Sequence, residues 1–141
     1  MPTRYLKLTP EEIAEGIEFA RKEIGTKAVI LGHHYQRDDV IKYADFTGDS
    51  YKLSKIAAET KDAKWIIFCG VHFMAETADI LTSPDQNVLL PNMAAGCSMA
   101  DMAKSADVTD CWDDIESVLG STESVIPITY MNSAAAIKAH C

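Results

Sequence analysis

Basic residues are few and scattered in this sequence. Thirteen Lys and Arg stand against twenty-one Asp and Glu among 141 residues, a formal net charge of -8. Binding a phosphate backbone needs a basic stripe, so a nucleic-acid partner is excluded, and the acidic balance mainly implies solubility. Long apolar runs are missing as well. None approaches the length that spans a bilayer, and the N-terminus lacks the charged and then hydrophobic layout of a signal peptide. The expectation is therefore no membrane association and, by default, a cytoplasmic location. Cysteine is sparse: Cys69, Cys97, Cys111 and Cys141 are widely spaced with no Cys-x-x-Cys pair, so no disulfide framework is expected in a reducing compartment. Low-complexity segments and short repeats are absent too. The apolar share of 48% is ordinary for a globular protein, which excludes disorder, and the length suits one domain or one domain and the start of another.

What is present is a unit met four times, a short apolar run that ends in polar residues. Ala28 to Leu31 lead through Gly32 into His33, His34 and Tyr35. The run does not alternate, so it reads as a strand buried on both faces. Lys64 to Cys69 run into Gly70, Val71 and His72; Asn87 to Leu90 run into Pro91, Asn92 and the Cys97 loop; Ser124 to Thr129 run into Tyr130, Met131, Asn132 and Ser133. Ligands of an open α/β sheet bind beyond the carboxyl ends of its strands, so parallel strands would bring these tips to one edge.

Helix signals fill the intervals. Thr9-Pro10-Glu11-Glu12 is a capping box with proline at the first helical position, followed by Ile13, Ile17, Ala20 and Ile24 on one face and by Gly25 as a stop. A second helix is expected from Asp38 or Asp39 to Gly48, and a third behind the capping pair Asp49-Ser50. Phe73 to Leu81 predict a fourth, ended by Ser83-Pro84-Asp85. Cys97 is expected just before a helix containing Met99 and Met102, Thr109 to Gly120 form a polar helix, and Asn132-Ser133 cap a last one. The alternation predicts an α/β three-layer αβα sandwich with parallel strands near residues 27–31, 64–69 and 87–90, the helices supplying the crossovers. Pro127 marks the fourth run, 125–130, as an edge strand or the opening of a new sheet. Residues 1–108 are expected to form a first α/β domain and 109–141 the truncated start of a second.

Several residues could carry chemistry. His33, His34 and Tyr35 suit acid-base work or metal ligation, and their position just beyond a buried strand favours this over the plainer account in which one histidine caps the strand end and the other faces water. Adjacent side chains of an extended segment point to opposite sides, so one of the two histidines is expected to enter a site. Asp49 and Ser50 serve as helix caps, and a serine at a helix N-terminus also suits a carboxylate or phosphate. His72 and Glu76 lie one turn apart, for which a local hydrogen bond is explanation enough. Cys97 stands out because small residues leave its sulfur approachable and a following helix would favour the thiolate. Cys69 reads as strand packing, Cys111 lacks an activating positive neighbour, and Cys141 ends the sequence.

These residues, in this order, resemble the quinolinate synthase family of de novo NAD biosynthesis in bacteria. The resemblance rests on Gly32-His33-His34-Tyr35-Gln36, Ala44-Asp45-Phe46-Thr47-Gly48-Asp49-Ser50, Gly70-Val71-His72-Phe73-Met74-Ala75-Glu76-Thr77-Ala78, Cys97-Ser98-Met99-Ala100 and Tyr130-Met131-Asn132-Ser133, and extends over nearly the whole chain. It implies three pseudo-symmetric α/β domains, each giving one cysteine to a central [4Fe-4S] cluster that acts as a Lewis acid. The implied reaction is a transferase condensation of iminoaspartate with dihydroxyacetone phosphate, with loss of phosphate and water, to give quinolinate. L-aspartate oxidase or aspartate dehydrogenase would be the source of iminoaspartate. Carried across, Cys97 is similar to the first cluster ligand, His33, Ser50, Tyr130 and Asn132 to substrate-binding groups, and Tyr35, with His33, to the proton-transfer residues.

The family chain is longer than this one, and its second and third cluster cysteines, with a histidine and glutamate motif for substrate, would lie beyond residue 141. Cys69, Cys111 and Cys141 do not match those positions, so the chain is expected to be a fragment carrying the first domain and the start of the second. Two other readings stay open on the residues alone. One is a small metal-dependent hydrolase or phosphate-binding domain that uses His33 and His34 as zinc ligands; the other is a non-catalytic association domain.

Overall fold

The computed structural model describes residues 3–141, so the first two positions of the expected 1–108 unit lie outside the described residues. After a 3-10 turn, Thr3–Lys7, helix α1 spans Pro10–Ile24. Its start follows from its first four residues: the Glu12 N–H donates to Thr9 Oγ1 at 3.2 Å, and the Thr9 N–H donates to Glu12 Oε2 at 2.8 Å. It ends where Gly25 adopts φ +57°, a conformation that costs other residues more.

Four strands make one sheet: β1 (Ala28–His33), β2 (Phe46–Gly48), β3 (Trp65–Cys69) and β4 (Asn87–Leu89). Every pairing is parallel and the order is β2-β1-β3-β4. The chain therefore steps from β1 to one side, through the short α2 (Asp38–Ile41), and then crosses back through α3 (Ser50–Glu59) to β3 on the other side of β1. A reversal of direction with right-handed crossovers puts the connecting helices on opposite faces, and the strand ends beside β1 become the place where loops part. Helices flank the sheet on both sides, α3 and α4 (His72–Leu81) on one and α1 with α2 on the other, which is the expected αβα sandwich.

The core lies on the α3 and α4 side. Val29 and Leu31 of β1, Ile66 and Phe68 of β3, Leu53 and Ala57 of α3, and Phe73, Met74 and Ala78 of α4 form one buried cluster. Alternation along the strands sends Ile30, Ile67 and Cys69 to the other face. That side is looser. Ile13, Ile17, Ala20 and Ile24 do share a face of α1, but they line an apolar groove of about 1060 Å³ against Ile30, Ile67 and Tyr43, and no α1 residue is buried. Arg21 ties the helix down by donating to the Tyr43 carbonyl and the Asp45 carboxylate.

Several expectations need correction. The second helix stops at Ile41 rather than Gly48, and Phe46–Gly48 become an edge strand. Asp45 explains this: its N–H donates to the Ile30 carbonyl at 2.8 Å, and its Oδ2 accepts the Ile30 N–H at 2.7 Å, so a side chain and backbone together start the parallel ladder. Residues 125–130 are not a strand; they form no regular element and have no sheet partners. Pro127 lacks a donor, and no strand lies alongside to supply the others. No helix follows Cys97 either. Residues 98–103 are turns and bends, and the next helix, α5, spans Ser105–Leu119, starting four residues before Thr109. The last helix, α6 (Ala135–Lys138), begins after Ala134, which lacks a capping side chain, so Asn132 and Ser133 do not cap it.

Candidate functional site

β1 ends at His33, and the backbone turns there. His33 is 3% exposed, while His34 and Tyr35 are exposed. The turn brings the three rings together: the His33 ring lies 3.7 Å from the Tyr35 ring and 4.3 Å from the His34 ring, centroid to centroid. The expectation of opposite sides therefore holds for burial but not for contact, because the extended geometry stops one residue earlier than it requires. His34 Nδ1 sits 3.1 Å from the Gly48 carbonyl and the His34 N–H donates to the same oxygen at 3.1 Å, which closes β1 onto β2. His33 Nδ1 is buried without a partner. A buried nitrogen without a partner costs free energy unless a ligand or water completes it, so this atom marks the site.

Electrostatics assign different proton habits to the neighbours. Burial, and then the adjacent His34, pull the His33 imidazole below its ordinary range, with Asp49 acting against them. Burial, and then the Cys97 sulfur, push the Tyr35 hydroxyl above its ordinary range. A neutral imidazole thus faces a phenol that keeps its proton. Asp49 caps α3 by accepting the Lys52 N–H at 2.9 Å. That bond, the Tyr51 N–H and the two histidines hold its carboxyl below the usual range, so it remains an anion at the His33 edge. Ser50 is the first residue of α3 and is buried, next in sequence to this carboxylate.

Cys97 is a half-buried free thiol in the loop after β4. The loop is pinned to the sheet edge because the His72 N–H at the start of α4 donates to the Ala95 carbonyl at 3.0 Å, and it curls through the Asp101 N–H donating to the Cys97 carbonyl at 2.9 Å. Cys97 borders a cavity of about 40 Å³ together with His72, Glu76, Asp101 and Ala134. The Tyr130–Ser133 turn reaches the same loop. Asn132 Nδ2 lies 3.8 Å from Met99 Sδ, and Ser133 Oγ donates to the Tyr130 carbonyl at 2.8 Å.

His33, Tyr35, Asp49, Ser50 and the Cys97 loop thus share one edge, and Asn132 touches it through Met99. Tyr130 is brought to the neighbourhood by its turn, but its ring is exposed. The other cysteines are elsewhere: Cys69 lines the groove on the far face of the sheet, with burial pushing its thiol up, and Cys111 and Cys141 are exposed. Zinc on His33 and His34 would need at least one further ligand beside them, and among the described residues no three His, Cys, Asp or Glu side chains are grouped to hold a metal ion. Two participants escaped sequence reading. Asp49 was legible only as a cap, though an acid next to Ser50 was a signal. Glu76 was legible only as a partner of His72, and nothing local pointed to its longer contact with Ala135.

Fold and site together define a parallel α/β domain that gathers a buried imidazole, a phenol, the start of a helix and a half-buried thiol at its strand ends. The family model for the quinolinate synthetase A protein matches residues 15–141. Quinolinate synthases of Acidobacterium capsulatum, Anoxybacillus flavithermus and Corynebacterium glutamicum are 58%, 53% and 52% identical to the chain over 97%, 99% and 98% of its length. The chain belongs to the quinolinate synthase family. It spans 36%, 37% and 35% of the lengths of those relatives, a little over a third. No helix among the described residues is long and apolar enough to cross a membrane.

Proposed function

We propose that this chain contributes one wall of a quinolinate synthase site, in which iminoaspartate and dihydroxyacetone phosphate condense to quinolinate with loss of phosphate and water. The observation that carries the reading is the family match across residues 15–141, which includes every residue of the strand-end edge. Residues 1–108 would be the first α/β unit of the longer polypeptide and 109–141 the start of the next.

A [4Fe-4S] cluster is the cofactor this reading requires, and the residues here fit one corner of it. Cys97 offers a half-buried, approachable thiol beside a cavity, whereas Cys69, Cys111 and Cys141 are placed away from that loop. The remaining ligands would come from outside this chain. Bound there, the cluster supplies Lewis acidity toward carboxylate, carbonyl or hydroxyl oxygens. The chain's own groups do the rest. Ser50, the first residue of α3, would hold an anionic group of substrate through its hydroxyl, and Asn132 and Tyr130 would bind from the facing turn. His33, neutral and with an open Nδ1, would accept or bridge a proton, and Tyr35, which keeps its proton, would donate one. Iminoaspartate would be supplied by an L-aspartate oxidase or aspartate dehydrogenase.

The test is anaerobic reconstitution of the sequence within a polypeptide of the relatives' full length, with iron and sulfide counted per chain and quinolinate assayed. Cys97→Ser should abolish the iron-sulfur absorption and quinolinate formation, whereas Cys69→Ser or Cys111→Ser should change stability more than cluster content. A Cys97→Ser protein with a full cluster, or a Cys111→Ser protein without one, refutes the assignment.

A further inference from the structure

Among the described residues, three side-chain hydrogen bonds join the 130–138 segment to the first hundred residues. Asn132 reaches Met99, the Ala135 N–H donates to Glu76 Oε2 at 3.0 Å, and Lys138 Nζ donates to Thr77 Oγ1 at 3.0 Å. The Asn132 contact is to a thioether, a weak acceptor. Two neighbouring residues of α4 therefore carry most of the polar attachment. Glu76 is the charged one, its side chain is only 28% exposed, and its other carboxylate oxygen lies 3.5 Å from His72 Nδ1. Both His72 and Glu76 line the cavity that Cys97 borders, with Ala134 from the far segment closing it. A charge-assisted bond to a backbone N–H across the chain is stronger than a neutral one and fixes direction as well as distance.

We propose that Glu76 is a positioning residue: by accepting the Ala135 N–H it anchors the Tyr130–Ser133 turn against the strand-end edge and sets Asn132 beside the Cys97 loop. The inference rests on the proposed quinolinate synthase reading for its kinetic consequence, and on geometry alone for the anchor. Residues 125–130 have no sheet partners, so nothing in a strand ladder holds this turn in place. The tie at Ala135 is one turn of chain from Asn132 and directly precedes the body of α6. Removing it frees the turn while leaving the buried cluster under α3 and α4 untouched, because Glu76 is not part of that cluster.

Two variants probe the bond from its two ends, in a polypeptide of the relatives' full length. Glu76→Ala removes the acceptor. Ala135→Pro removes the donor at the first residue of α6, where proline is tolerated and where Ala134, at φ -64° and ψ 151°, already has the backbone a following proline needs. Each should raise KM for dihydroxyacetone phosphate about tenfold, equivalent to about 1.4 kcal/mol, with kcat and cluster content near the parent values. Glu76→Gln keeps an acceptor oxygen and should restore KM to within about threefold, which loss of a generic structural contact would not predict. Hydrogen exchange reads the anchor without activity: the Ala135 amide should exchange about tenfold faster in Glu76→Ala. If the parent protein makes no quinolinate, the function reading fails while the exchange result still decides the anchor. Unchanged exchange at Ala135, an unchanged KM in Ala135→Pro, or a Glu76→Gln protein as impaired as Glu76→Ala overturns the proposal.

Discussion

Gln86 offers the sharpest test of how this fold is held together. Its side chain is 7% exposed and occupies the loop before β4. Nε2 donates to the carbonyls of Thr60 and Ala63, each at 2.8 Å, and Oε1 accepts the Ser83 N–H at 3.2 Å and the Ser83 hydroxyl at 3.0 Å. One amide thus joins the C-cap of α3, the approach to β3 and the end of α4. The Asn87 N–H next to it donates to the Lys64 carbonyl at 2.9 Å, so the same residue sets where β4 meets β3. Replacing Gln86 with Ala leaves two carbonyls without a donor. Ala63 is 1% exposed and its bond is buried, so losing it costs about 2–3 kcal/mol; Thr60 is partly reached by water, so losing its bond costs about 1 kcal/mol. The sum is about 3–4 kcal/mol, a large part of the total stability of a domain of this size.

Denaturant titration should show that loss as a lower midpoint at unchanged slope, and calorimetry as a fall in Tm of roughly 6–16 °C. Gln86→Glu separates hydrogen bonding from packing, because it preserves shape but turns a carboxylate toward two carbonyl oxygens. At neutral pH it should be at least as destabilising as Gln86→Ala, and it should recover as pH falls and the carboxyl gains a proton to donate. A Gln86→Ala protein that loses less than about 1 kcal/mol, or a Gln86→Glu protein as stable as the parent at neutral pH, refutes the assignment of these bonds to stability.

Two further outcomes follow from the site. Because burial and His34 lower the folded-state pKa of His33 from 6.5, the unfolded chain takes up more protons as pH falls through and below that value. Stability from neutral His33 is complete above about pH 6.5 and is lost as pH falls below it; NMR titration should find the imidazole changing below 6.5, and His33→Gln should flatten the stability profile there. Gly32→Ala should destabilise by about 1–3 kcal/mol, because a Cβ there would sit 2.8 Å from Ala44 Cβ and 2.5 Å from Ile41 Cδ1, and only the isoleucine tip can give way; a variant within 0.5 kcal/mol of the parent by denaturant unfolding counts against this packing.

Local chemistry alone determined the start and stop of α1, the strands β1, β3 and β4, the capping role of Asp49 and the presence of polar groups at strand ends. Each depends on a few adjacent residues: Thr9 with Glu12, Gly25 at positive φ, a continuous apolar run, Asp49 before Lys52. The motifs that set the family were legible for the same reason, being contiguous. Tertiary structure decided the rest. Phe46–Gly48 became a strand because Asp45 finds Ile30, fifteen residues away, and the local pattern around either residue does not reveal that partner. Residues 125–130 had strand composition but failed to become one, since a strand exists only when another lies beside it. The loop around Cys97 stayed irregular, held by the His72 N–H on the Ala95 carbonyl and by the Asp101 N–H on the Cys97 carbonyl rather than by a helix of its own. Likewise, Asp49 acquired a place beside His33 and Glu76 a partner in Ala135 only through folding, because electrostatic and hydrogen-bond pairing depend on distance in space, which sequence separation does not report.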